Sequence, residues 1–353
     1  MAEIVDDWTD SADFDDPRKT GDHHHARTDE PIDTPYGVLD YAVGDGPDTD
    51  GNAITESYDL FYMMNSSGPT HWPWDDPPTG ESRDPVELGV VAIPAYELHF
   101  GTHTYGLFST VDQASSKIGG VPEKHQSTLD NRKHANGYPE PIVGFAHVGR
   151  YVGEETITDR EYERFRFNVE RLARQDVPSV VGTGRNSEYP HEETRLLWDR
   201  LLTEFAPAYL PIKIAHNDPR GDEDGVVGDG LDRRWYSTLM SADEYDVDDQ
   251  AATRVAAREA IGRRAVLAHF RDSFDPDGSI PEPPVVEDAG VDGATVYVES
   301  DADEQVWITA GGEGVETGTS VDVSEGERYL RCELWNDDES ALTLTQPWGI
   351  RSE

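Results

Sequence analysis

From about residue 36 to residue 285, short apolar runs alternate with amphipathic stretches. The runs Tyr58–Met64, Val90–Pro94, Tyr105–Phe108, Ile142–Ala146, Ser179–Gly182 and Ile212–Ala215 are brief and end in turn or polar residues. That pattern predicts strands covered on both faces, as in a parallel sheet. Helical periodicity fits Asp159–Gln175, with Phe165, Val169 and Leu172 on one face, and also His191–Glu204 and Asp248–Gly262. Strands alternating with helices predict an α/β sheet or barrel. Pro281-Glu282-Pro283-Pro284 marks a boundary. Beyond it the period falls to two, through Ala294–Val298, Gln305–Thr309, Ser320–Val323, Arg328–Trp335 and Ala341–Thr345. The expected organisation is a polar N-terminal arm over residues 1–20, a barrel-like domain over 21–285 and a small antiparallel β module over 290–353.

Charge changes the picture next. The chain has 353 residues, with 29 Lys+Arg against 72 Asp+Glu, a net charge of −43. Phosphate binding along a nucleic acid needs a basic footprint, so nucleic acid is excluded as the main partner. Adhesion to anionic lipid is disfavoured for the same reason. Lysine occurs only at Lys19, Lys117, Lys124, Lys133 and Lys213, while acidic residues spread along the whole chain. This is the charge balance expected of a protein from a halophilic archaeon or its virus, where molar salt screens repulsion to about 3 Å. Cys332 is the only cysteine, which removes an intrachain disulfide and a cysteine metal site. No apolar run approaches the ~20 residues of a membrane helix, and the start lacks a signal-peptide pattern. A cytoplasmic protein, or a virion component, is expected.

Candidate chemistry lies where histidines and carboxylates follow the predicted strands. His23 and His25 are two apart, so on an extended strand they share a face. Glu97 follows Val90–Pro94, His103 comes six residues later, His147 ends Ile142–Ala146, and Asp218 follows Ile212–Ala215. Ligand-type residues at the carboxyl ends of several strands would converge if the sheet closed into a barrel. Spacing leaves alternatives open: a one-residue shift brings in His24, His99 competes with His103, and His216 is a further nearby imidazole. Gly119-Gly120 and Gly311-Gly312 lack phosphate-loop spacing. Asp45–Gly51 lacks the glutamate that closes a calcium loop.

In order, His23-x-His25, Ile93-Pro94-Ala95-Tyr96-Glu97, Phe145-Ala146-His147, Leu197-Trp198-Asp199-Arg200 and Asn217-Asp218 resemble the motifs of the PHP (polymerase and histidinol phosphatase) superfamily. Tyr329-Leu330-Arg331-Cys332-Glu333-Leu334 with Gln346-Pro347-Trp348 resembles the β appendage of some of its members. The resemblance implies a distorted (β/α)7 barrel with metal ions at the strand ends. Carried over, His23, His25, Glu97 and Asp218 would hold one ion. Glu97 would bridge to a second, held also by His103 and His147. The family's Thr-Asp-His falls on Met64-Asn65-Ser66, and its last histidine falls on Arg220, so the third metal site is absent.

The resemblance therefore implies a metal-dependent phosphoesterase with at most two divalent ions (Zn, Mn or Fe). Such a pair lowers the pKa of a shared water to about 7 and clamps both oxygens of an in-line displacement. Asp218 and Arg220 are the expected catalytic residues, with the Arg220 guanidinium suited to bidentate contact with phosphate oxygens. The expected partner is a small phosphorylated substrate. The competing expectation is an inactive scaffold in a virion or surface assembly, with protein partners and homo-oligomers among its forms.

Overall fold

In a computed structural model, residues 2–25, 58–65, 86, 89–100, 102–108, 142–146, 148, 157–185, 192–217, 236–241, 245–271 and 281–352 are described. The chain opens with β1 (Ala2–Asp6) and β2 (Arg18–His25), followed by β3 (Leu60–Asn65), β4 (Val91–Phe100), β5 (Thr102–Leu107) and β6 (Ile142–Phe145). Next come α1 (Asp159–Ala173), β7 (Ser179–Arg185), α2 (Glu192–Phe205), β8 (Ile212–Asn217), β9 (Tyr236–Met240), α3 (Gln250–Gly262) and β10 (Val266–Arg271). The remaining strands are β11 (Val286–Asp292), β12 (Thr295–Ser300), β13 (Glu304–Thr309), β14 (Glu313–Thr317), β15 (Ser320–Asp322), β16 (Tyr329–Trp335), β17 (Ala341–Leu344) and β18 (Trp348–Ser352).

The expected (β/α)7 barrel is not formed. Strands β2, β3 and β4 are parallel, as are β6, β7 and β8, but β5 runs antiparallel to both β4 and β6. Only Gly101 separates β4 from β5 in the sequence. A parallel crossover needs about a dozen residues or more, so this connection can only be a hairpin. The described helices are three, and the sheet does not begin at β2. Beyond β2 it continues through β9 and β10 into β17, β16, β18 and β1, all antiparallel. Short apolar runs look alike whether the strand is parallel or part of a buried hairpin, so the pattern did not distinguish the two.

The edge of β8 explains why closure fails. At Lys213, the Gln346 amide accepts from the backbone N–H (2.9 Å) and donates to the carbonyl (2.8 Å). At Ala215, the Thr238 hydroxyl accepts from N–H (3.0 Å) and donates to C=O (2.8 Å). Among the described residues, β8 reaches β2 only at Asn217, opposite Asp22. Alternate residues of a parallel strand bond to the same side, and these three positions are served by three different segments. One ladder pair is too little to close a barrel. Similarly, Gln250 and Arg254 of α3 complete the start of β4. Gln250 accepts from Ala92 N–H (3.1 Å) and donates to the Val90 carbonyl (3.0 Å), and Arg254 donates to the Ala92 carbonyl (2.7 Å).

Two apolar cores lie on opposite sides of the sheet. Leu60, Tyr62, Val91, Ile93, Leu107, Ile142, Val180, Ile212 and Ile214 pack with Ala257, Ala260 and Ile261 of α3. On the other side, Phe145, Val181 and Ala215 meet Phe165, Val169, Leu197, Trp198 and Leu201. Helix α1 begins with a capping box in which Thr158 and Glu161 bond each other's backbone N–H. Its buried Tyr162, Phe165, Val169 and Leu172 recur at helical spacing. Phe165 meets Phe145 edge-on at 5.0 Å.

A third core joins the chain ends. β1 pairs with β18, Ile4 opposite Ile350, so the first residues form an edge strand of the sheet. Trp348 lies 5.3 Å from Trp8 and 5.8 Å from Trp307, and its indole N–H donates to Asp7 (3.0 Å). Arg264 ion-pairs with Asp6.

Gly144 pairs with Val180 where β6 lies against β7. A Cβ there would lie 2.3 Å from the Val180 carbonyl oxygen and 2.3 Å from its side chain. Gly144→Ala is expected to destabilise the protein by about 1–3 kcal/mol, the usual cost of overpacking. Urea unfolding would register this as a lower midpoint at unchanged slope; a midpoint equal to wild type would contradict the close approach.

Candidate functional site

The parallel strands bring the backbones of several predicted ligands to one end of the sheet. His23 pairs with Tyr62 and Tyr62 with Ile93; His25 pairs with Met64 and Met64 with Ala95. Glu97 lies two residues beyond Ala95 on β4, two strands and about 10 Å laterally from β2. His103 returns on β5, opposite His99. On the other flank, Asp22 sits opposite Asn217, and the buried His216 is level with Gly184 of β7. The side chains of His23, His25, Glu97 and His103 lie outside the described set, as do all of His147, Asp218 and Arg220. In sequence, Asp218 directly follows the end of β8, and His147 comes two residues after the end of β6. Among the described side chains, no group of three metal-ligating residues is gathered.

The densest polar constellation with described side chains lies elsewhere, between α2, β8 and β16. Arg331 grips Asp199 with two parallel bonds, Nε to Oδ1 at 2.8 Å and Nη2 to Oδ2 at 2.6 Å. Its third nitrogen donates to Glu333 (2.8 Å), which also receives Arg195 (2.6 Å). The Arg331 guanidinium lies 5.1 Å from the Trp198 ring, and Arg195 lies 5.3 Å from that of Trp335. The Tyr329 hydroxyl is 3.1 Å from Asp199 Oδ1 and 2.8 Å from the Thr309 carbonyl. Gly312, at φ +80, passes so close that a Cβ would stand 3.1 Å from Asp199. That left-handed backbone and close approach require glycine.

Burial opposes ionisation throughout this cluster, and pairing decides the outcome. Burial alone would raise the Glu333 carboxyl, but Arg331 and Arg195 together hold it below its ordinary value. Burial likewise opposes the charge on Arg331, yet Asp199 and Glu333 raise its pKa. Lys213 is fully buried in the same cluster. Burial, aided by Arg331 and Arg195, lowers its pKa well below normal, with Asp199 pulling the other way. All three Arg331 nitrogens donate to carboxylates, so the cluster's chemistry is to hold α2 against the C-terminal strands. Sequence reasoning missed it because Tyr329, Arg331, Glu333 and Trp335 alternate with Leu330, Cys332 and Leu334 like a strand with one wet face. In fact β16 is buried on both faces as far as Leu334. The one available signal was an Arg-x-Glu pair flanked by aromatics on that supposed wet face.

No family model, curated protein or solved structure matches the chain. No helix among the described residues is long and apolar enough to cross a membrane.

Two outcomes are expected of the cluster. Arg331→Met leaves Asp199 buried without its partner and should cost about 3–5 kcal/mol, whereas adding Asp199→Leu and Glu333→Leu should recover most of the loss. Urea unfolding of the single and combined variants would check this, and a single variant as stable as wild type would refute it. Lys213 gives a pH dependence of definite sign. Its folded-state pKa is depressed, so below the ordinary lysine value the unfolded chain binds a proton that the folded chain refuses. Stability should therefore rise with pH between the depressed value and about pH 10, by up to roughly 1.4 kcal/mol per unit. Lys213→Met should flatten that rise in denaturation curves taken from neutral pH to pH 9.5.

Proposed function

We propose that the chain is a metal-dependent hydrolase of phosphoester-type substrates, with its site at the carboxyl ends of the parallel strands. The observation that carries this reading is the register. Two histidine positions on β2, a glutamate on β4, a histidine on β5 and the strand preceding Asp218 end at one side of the sheet. Crevices at the carboxyl ends of parallel strands are the usual ligand sites of α/β sheets, and this holds without a closed barrel. The resemblance to the PHP superfamily supports the same residues independently of barrel closure.

In this reading His23, His25, Glu97 and Asp218 hold one divalent ion, and Glu97, His103 and His147 hold the other. A pair of Zn, Mn or Fe ions, when bound, supplies Lewis acidity and a water with a pKa near about 7. Glu97 would belong to both sets. Asp218 orients the attacking water, and Arg220 pairs with the phosphate oxygens that a third ion would otherwise neutralise. The substrate class is small phosphorylated molecules, not nucleic acid, and the location is the cytoplasm of a cell with high internal salt. The acidic, lysine-poor composition supports that setting.

A second reading is favoured by one observation. Met64-Asn65-Ser66 and Arg220 stand where the family resemblance calls for third-site ligands. A chain released from catalysis would serve as a scaffold in a virion or surface assembly.

Metal analysis of protein purified in high salt, together with hydrolysis of p-nitrophenyl phosphate and its diester, separates the two. One to two equivalents of transition metal, and turnover that falls at least 100-fold in Glu97→Ala, are expected. Protein without metal or turnover that scatters light as a large oligomer would overturn the hydrolase in favour of the scaffold.

A further inference from the structure

Strand β2 changes partner part-way along its length. Arg18, Lys19 and Thr20 pair with β9, whereas Asp22 pairs with β8. On its other side β2 follows β3, with Thr20 opposite Leu60 and His23 opposite Tyr62. Gly21 and Asp22 therefore span the distance that Phe61 spans alone. A bulge of this kind bends its strand and leaves backbone groups out of the ladder. It lies where β9 gives way to β8, so the sheet branches at the bulge.

Two side chains beside this branch carry polar atoms that are sealed from solvent. Tyr62 is 1% exposed and Thr20 is fully buried. The two hydroxyls are neighbours, yet they do not meet in hydrogen-bond geometry, and neither has a partner among the described residues. Thr238 faces Thr20 from β9, but its hydroxyl already donates to the Ala215 carbonyl (2.8 Å) and accepts from the Ala215 N–H (3.0 Å). Buried hydroxyls are as a rule hydrogen-bonded, to protein or to ordered water, and leaving one unsatisfied is costly.

We propose that an ordered internal water sits at the β2 bulge and bridges the Thr20 and Tyr62 hydroxyls. A buried water makes roughly two to four hydrogen bonds. The branch offers that number, from two hydroxyls and the backbone groups that the bulge frees. Water suits the place better than an ion. Both hydroxyls are neutral, and Tyr62 stands in the apolar core with Leu60, Ile93 and Met240, where an unpaired charge is expensive. The water acts as a joint: it satisfies the branch, so that one strand serves β9 before the bulge and β8 after it. This inference does not rest on the hydrolase reading.

The test is oxygen-17 magnetic relaxation dispersion on the full chain, which counts waters that stay inside for longer than the protein tumbles. Thr20→Val combined with Tyr62→Phe removes both hydroxyls, and the count should fall by one water per chain relative to wild type. An unchanged count in the folded double variant overturns the proposal. Should that variant not fold, a high-resolution crystal structure of the wild type decides. Density within about 2.5–3.0 Å of both hydroxyl oxygens is expected. Two hydroxyls bonded directly to each other, or no density between them, would refute the water.

Discussion

The far edge of β8 is the constraint around which this fold is arranged. Buried N–H and C=O groups must be paired, and a strand this deep in the molecule cannot leave an open side. In a closed barrel the first strand would zip along that edge. Here Gln346 occupies it at Lys213, Thr238 occupies it at Ala215, and among the described residues β2 arrives only at Asn217. Because Gln346 comes from the last segment of the chain, the C-terminal strands are a structural completion of the α/β sheet. The same solution recurs at β4, where Gln250 and Arg254 take the place of a neighbouring strand. One consequence is that β2 meets β8 at Asp22, next to its histidine positions.

The Arg331–Asp199 pair works at the same junction. Surface pairs such as Arg200–Asp159, with Asp159 almost fully exposed, contribute little and are screened by salt. A pair as buried as Arg331–Asp199 is hardly screened, and its two parallel bonds fix orientation as well as distance. Such a pair is weak evidence of net stability, because both ions lose their hydration. Its stronger effect is exclusion: any other packing of α2 on β16 strands a buried charge. Thr203 extends the clamp, accepting from Gly311 N–H (2.8 Å), while Arg328 donates to the Thr203 carbonyl (2.8 Å).

Much of the local structure was legible from periodicity. The predicted strands from Tyr58 to Ala215 and the three predicted helices all have counterparts, and Phe165, Val169 and Leu172 are buried as their spacing implied. The topology was not legible, because it turns on interactions that leave no periodic trace. A connection of one residue between Phe100 and Thr102 leaves β5 only an antiparallel return, and one glutamine far along the chain replaces a strand at Lys213. The edge strand β1 was hidden in a stretch whose acidity resembles a free arm, since pairing with β18 is a long-range event. At the candidate site, residue types and order could be read from the sequence. That positions 99 and 103 pair across a hairpin could not, because spacing alone does not say whether residues four apart lie on one strand or across a turn.

The proposed site also has to answer the charge of the chain. With a net charge of −43, the chain as a whole repels a phosphorylated substrate at low salt. At about 0.1 M salt that field reaches roughly 10 Å, and at 1 M only about 3 Å. Long-range steering therefore cannot help binding in any medium, and attraction must act at contact distance. Arg220 and the proposed ions would do so, and a guanidinium in place of a third ion would keep a positive charge that does not depend on metal supply. A guanidinium cannot lower the pKa of a water as a divalent ion does, so under this proposal the arginine would suit the substrate's outer oxygens and the activation of water would fall to the Glu97 side.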